Sequence, residues 1–169
     1  LLPTFTHINN LGGMEAEVIG AVLADLTNEE RQFQNLQTLA VNPILNEAAQ
    51  MKAEDMATKG YFAHTSPEGK TPWYWLAQAG YTYQYAGENL AINFSDSKDV
   101  ASAWMNSPTH KENIVKENYT EVGTGVATGI YEGKETVFVA QVYANPLSLV
   151  SKTIESKQVD TVKSEKVAS

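Results

Sequence analysis

The chain has 169 residues, three histidines, no cysteine and a formal net charge of −8, and 43% of it is hydrophobic. That length suits one domain with tails, and that apolar content supplies a core, which argues against global disorder. The acidic balance argues against nucleic acid and against electrostatic docking on anionic lipid, and the absence of cysteine excludes disulfides and thiolate metal sites.

No apolar run reaches the roughly 18 residues that a membrane-spanning helix needs. The opening "LLPTFTHINN" lacks the basic start and continuous apolar stretch of a signal peptide. Its first residue is Leu rather than Met, which reads as a processed or excised chain and leaves room for an upstream signal or anchor. Residues 1–13 read as an extended polar arm ending in "GG", and His7 on that arm is given no role.

From Met14 the pattern becomes helical. Val18, Ile19, Val22, Leu23 and Leu26 recur at three- and four-residue steps, predicting one helix to about Gln34. A second helix is bounded by Asn42 as cap, Pro43 in the first turn and Gly60 as left-handed stop. Its apolar face uses Leu45, Ala48, Ala49 and Met56. "GYFAHTSPEGK" is a loop, and "TPWYWLAQAG" a short helix capped by Thr71 and ended by Gly80. "YTYQYAGENLA" alternates weakly and reads as irregular. "SDSKDVASAWMNS" is a helix with Val100, Ala103 and Trp104 inward, and the Ser107-Pro108 break starts another in "SPTHKENI".

The period then changes. "EVGTGVATG" and "ETVFVAQVYA" form a hairpin around "YEGK". Val137 to Val142 is apolar with almost no alternation, the mark of a strand covered on both faces. Strands do not alternate with helices along the chain. The expected class is therefore α+β, a three-layer α/β/α sandwich with a small, mainly antiparallel central sheet. Residues 14–146 form the domain, and 147–169 a polar linker or tail.

Four polar residues need a reason. His64 lies in "FAHTSP", Glu88 in "AGENLA", His110 in "SPTHKEN", and Glu121 opens "EVGTGV". Each sits at an expected element boundary between apolar residues. Two imidazoles and two carboxylates suit a divalent ion such as zinc, with water completing the shell and the carboxylates holding that water or orienting the imidazoles. Spacing alone leaves other readings open. A histidine near a helix start is commonly a satisfied structural residue, Glu88 could bond to a loop backbone, and Glu121 could be a solvated strand end. The aromatic group Trp73, Trp75, Tyr81, Tyr83 and Tyr85 reads as core and rim rather than as a ligand platform.

The segments "GYFAHTSPEGKTP", "AGENLA", "AWMNSPTHKENI" and "YTEVGTGVA" occur in that order. Together the chain resembles the CAP superfamily of cysteine-rich secretory, antigen 5 and pathogenesis-related proteins, also called the SCP domain, in its cysteine-free bacterial branch. The resemblance covers roughly Val18 to Ala144. It extends to an opening helix pair with Asn28 and Arg31 in an "N-x-x-R" place. It implies an α/β/α sandwich with a large cleft, and it implies that His64, Glu88, His110 and Glu121 are the cleft tetrad. The two histidines would then be ligands of zinc or another divalent ion, and the location would be extracellular or at the cell surface. Trp75 and Lys111 depart from the residues usual in such relatives, a basic residue and Arg respectively.

The resemblance carries no single reaction. The favoured function is a binding module for a divalent metal and an apolar or cell-envelope ligand, such as a lipid. The second is a metal-dependent hydrolase with Glu88 or Glu121 as general base. The third is a surface interaction domain with a purely structural tetrad. Ser66 and Ser107 each precede a proline and read as turn chemistry, not as nucleophiles.

Overall fold

In the computed structural model, which describes the backbone of residues 11–148 and the side chains of residues 19–148, the hairpin forms the centre of the molecule. The elements are α1 (Leu11–Phe33), β1 (Ala40–Val41), α2 (Pro43–Lys59), α3 (Pro72–Gln78), β2 (Tyr83–Ile92), α4 (Ser97–Asn106), α5 (Pro108–Ile114), β3 (Glu121–Tyr131) and β4 (Lys134–Pro146). Glu132 and Gly133 both turn with positive φ, 49° and 80°. That is the two-residue type I′ connection whose twist matches the flanking strands.

The strands lie in the order β1-β3-β4-β2, antiparallel except for the short β1–β3 pair. The apolar β4 is covered on both faces. Phe138, Ala140, Val142 and Ala144 pack with Leu45, Ala49, Met56 and Leu76 of α2 and α3. Val139 and Tyr143 pack on the other side with Leu23, Val100, Trp104 and Ile114 of α1, α4 and α5. Helices therefore sandwich the sheet, as the unalternated apolar run predicts.

The glycines of "EVGTGVATG" set the depth of α2. A side-chain carbon at Gly123, Gly125 or Gly129 would overlap the α2 backbone at Leu45, Ala49 and Ala57. Three glycines on β3 and the alanines of α2 thus let a helix lie directly on a strand. Asn42 caps α2, its side-chain oxygen accepting from Ile44 N–H, and Gly60 closes it in the left-handed conformation at φ 66°.

Several expectations change. "YTYQYAGENLA" is not irregular: β2 is a ten-residue strand, with a bulge between Tyr83 and Tyr85, because β4 supplies a ladder partner that weak local alternation does not reveal. The first helix already includes Leu11, and its buried face is Gly20, Leu23, Ala24, Thr27 and Arg31, with Val22 turned outward. Periodicity in apolar residues misplaced that face because two of its members are polar. Ala103 is exposed, one step off the stripe of Val100 and Trp104. Thr71 occupies the cap position of α3 but makes no capping bond. The arm up to residue 10, with His7, and the tail from residue 149 lie outside the described residues. Among the described residues no helix is long and apolar enough to cross a membrane.

Candidate functional site

His64 leaves the loop between α2 and α3 with its side chain 56% exposed, while its partner Glu88 is 2% exposed on β2. The imidazole Nδ1–H donates to Glu88 Oε1 at 2.7 Å. Glu88 is not at an element boundary: it is the sixth residue of β2, inside the sheet. Burial raises the pKa of its carboxyl, and the bond from His64 and the nearby Lys52 charge offset part of that rise. The second oxygen, Oε2, is buried with no hydrogen-bond partner among the described residues. An orphaned, desolvated acceptor of this kind is costly, and such groups mark functional sites more often than frameworks.

His110 lies in the first turn of α5. Its Nδ1 and the Ser107 hydroxyl share a hydrogen bond of 2.7 Å. Ser107 does not cap α5 through its side chain, so its hydroxyl is more than turn chemistry: it orients the imidazole. The His110 carbonyl accepts from Asn89 Nδ2 at 3.0 Å. Asn89 also donates to the Tyr143 hydroxyl at 3.1 Å and accepts from Asn113 at 2.9 Å. Tyr143 donates to Gln141 Oε1, which also accepts from Thr27 at 2.9 Å. This buried chain of neutral groups runs from α1 through the sheet to α5. Gly87 is what admits it, since a side chain there would strike the Tyr119 hydroxyl and Asn113. Burial lowers the pKa of His110, and the neighbouring His64 lowers it further, which places His64 within electrostatic reach of His110.

Glu121 stands apart. It faces the same side of the sheet as Glu88, but β4 lies between them: Glu121 is opposite Ala144 and Glu88 opposite Val142. Two strand spacings of about 4.8 Å separate the backbones that carry them. Glu121 Oε2 accepts from the Tyr81 hydroxyl and, at 3.0 Å, from Asn42 Nδ2. It thereby braces the residue that caps α2.

The four expected residues thus divide. His64 and Glu88 form a pair, His110 is their electrostatic neighbour, and Glu121 is tied to the helix cap. Among the described residues no group of three or more His, Asp or Glu side chains is placed to hold a metal. A metal taken here would fall to the two imidazoles, whose donor type suits one. Each Nδ1 is occupied by an oxygen partner, and neither Nε2 has a hydrogen-bond partner among the described residues. With Nδ1–H as the donor, this is the arrangement in which an oxygen partner fixes the ring of a metal-binding histidine.

Several residues of the site escaped the sequence reading. Lys52 falls at the helical step between Ala48, Ala49 and Met56, so a charge inside an apolar stripe was its signal. Gln141 was equally marked by polarity inside "VFVAQVYA". Asn113 and Ser107 each sit three residues from His110, a spacing that places helix neighbours together. Asn28 and Arg31 prove structural. Asn28 bonds both the N–H and the carbonyl of Leu39, and Arg31 donates to the carbonyls of Gln37, Ile114, Lys116 and Tyr119.

Fold and site together define an SCP-type module: a cysteine-free α/β/α sandwich carrying two oriented imidazoles beside a buried glutamate. The chain belongs to the cysteine-rich secretory protein (CAP) family, whose model matches residues 24–143, well over half of it. It is 40% identical over 103 residues to the uncharacterized protein YkwD of Bacillus subtilis, a match covering 61% of this chain and 40% of that protein. Among solved structures it is similar to an extracellular SCP-domain protein of Bacillus anthracis, at 28% identity and a TM-score of 0.67, over 83% of this chain and 45% of that one. An outer surface protein of Borrelia burgdorferi shares the fold at 22% identity and a TM-score of 0.65, over 83% of this chain and 97% of that one. The chain spans less than half the length of both Bacillus relatives.

Proposed function

We propose that this chain is a secreted or cell-surface binding module that takes a divalent metal, zinc above all, between His64 and His110, and presents that site to an apolar or cell-envelope ligand. The observation that carries the reading is the shared use of Nδ1. Glu88 and Ser107 each hold one imidazole through that nitrogen, and with Nδ1–H as donor both Nε2 atoms keep a lone pair for a metal. Two nitrogen ligands suit a site open to water or to a ligand group, which supplies the rest of the shell. The location is supported by the extracellular and outer-surface relatives. Zinc titration by calorimetry tests the reading: the wild type is expected to bind, and the His64→Ala/His110→Ala double variant to lose that affinity. Equal affinity in both overturns it.

A hydrolase reading has one observation of its own, the buried Glu88 with its raised proton affinity and free Oε2. A bound zinc would supply Lewis acidity, and Glu88 is the carboxylate placed to move a proton. A screen of peptide, ester and peptidoglycan substrates decides it, since activity that survives Glu88→Gln removes the base.

A further inference from the structure

Lys52 is fully buried in the middle of α2, in contact with the apolar layer between helix and sheet. No carboxylate pairs with it among the described residues. An ammonium placed there gives up its hydration with no carboxylate in direct contact, Glu88 and Asp55 acting on it only through space, whereas a methionine of similar length would pack at no such cost. The cost is explained by what the three protons of the ammonium hold. They go to the Tyr61 hydroxyl at 3.1 Å, the Ala63 carbonyl at 2.6 Å and the His64 carbonyl at 3.0 Å. Every acceptor lies in the four residues that lead to and include His64.

Past Tyr61 that stretch has no other backbone anchor among the described residues. Tyr61 N–H still bonds back to Met56, and Ser66 N–H bonds forward to Lys70. Between them, residues 62–65 belong to no helix or strand and make no backbone–backbone hydrogen bond among the described residues. Lys52 is therefore the fixed point from which the His64 side chain projects. The same positive charge also favours the ionised form of Glu88, the acceptor that holds the ring.

We propose that Lys52 is the positioning residue for His64. Its ammonium pins the backbone of residues 63 and 64, so that Nδ1–H stays on Glu88 and Nε2 is presented outward. The metal-affinity consequence rests on the binding function proposed above; the effect on the ring does not.

The test uses Lys52→Met in metal-free protein, with long-range 15N–1H spectra of the imidazoles at mildly alkaline pH. His110, held by Ser107 and Asn89, is the control within the same spectrum. In the wild type His64 should be one Nδ1–H tautomer. In Lys52→Met it should become a tautomer mixture while His110 keeps its signals, and zinc affinity should fall about tenfold to a hundredfold. Lys52→Arg, which keeps charge and donors, should restore part of both. A folded Lys52→Met with an unchanged His64 ring overturns the proposal. If that variant does not fold, the wild-type ammonium gives the answer: protons held by two carbonyls and a hydroxyl exchange slowly, and rapid exchange overturns the proposal. Absence of zinc binding in the wild type would count against the metal reading alone, because the metal-free spectra still judge Lys52.

Discussion

The two histidines are held by opposite kinds of framework. Around His64 the supports are charged: a buried carboxylate on the ring and a buried ammonium on the backbone. Around His110 they are neutral, an amide, two hydroxyls and a second amide linked through the sheet to α1. A neutral network that is fully bonded rigidifies without depending on protonation, whereas a charged one answers to pH and to other charges. The site thus pairs one adjustable imidazole with one fixed imidazole.

The largest disturbance should come from Gly125→Ala. The new carbon would meet the backbone of α2, which cannot give way as a side chain can, and the expected loss is about 3 kcal/mol or more in urea denaturation. Lys52 travels with α2, so His64 should be displaced and His110 spared; equal perturbation of both rings would dissolve the contrast. Next comes Asn89→Ala, which leaves the His110 carbonyl, the Tyr143 hydroxyl and Asn113 short of partners. About 2–3 kcal/mol should be lost, with the His110 signals moving and those of His64 held.

A smaller effect separates the two frameworks by pH. Burial raises the Glu88 pKa, so between the ordinary carboxylate value near 4.5 and the raised one the folded state holds more protons than the unfolded state. Stability of the metal-free protein should therefore fall as pH climbs through that window and level off above it. Glu88→Gln should flatten that decline, and thermal melts across the window read it directly. An undiminished decline would move the charged group elsewhere. The smallest effect belongs to Glu68, an exposed residue of the His64 loop that joins Lys59 and the Ser66 hydroxyl and whose pKa is held down at about 2. Its contribution is present above the ordinary carboxylate value and is lost as pH falls toward 2. Because exposed pairs are screened, Glu68→Gln should leave the denaturation midpoint at neutral pH within error, and a clear shift would mean that these exposed contacts carry the loop.

How much of this was legible in the sequence follows from what is local. The capped ends of α2, the break before His110 and the hairpin around Glu132 and Gly133 were readable, because each is set by the conformational limits of two or three residues. The double cover of β4 was readable because five apolar residues among the six from Val137 to Val142 leave almost no face for water. β2 was not, since its existence depends on the β4 ladder rather than on its own pattern. The four candidate residues were marked through motif resemblance, yet the way the fold divides them was hidden. That Glu121 serves a helix cap is decided by Asn42 and Tyr81, 79 and 40 positions away. Lys52 was overlooked for a different reason: counting the apolar stripe of α2 passes over the one charged member that made it informative.

The outer position of β2 carries a further consequence. A strand at a sheet margin ordinarily exposes backbone groups on which another chain can build. Here the Glu88 carbonyl accepts from the Asn113 side chain at 3.1 Å, and the Leu90 carbonyl from the Trp104 indole at 2.9 Å. Helices α5 and α4 thus stopper the margin at two neighbouring acceptors. A visiting peptide that extended the sheet there would first have to pull both helices away, so what β2 offers to the outside is the Glu88–His64 pair and not a template for strand addition.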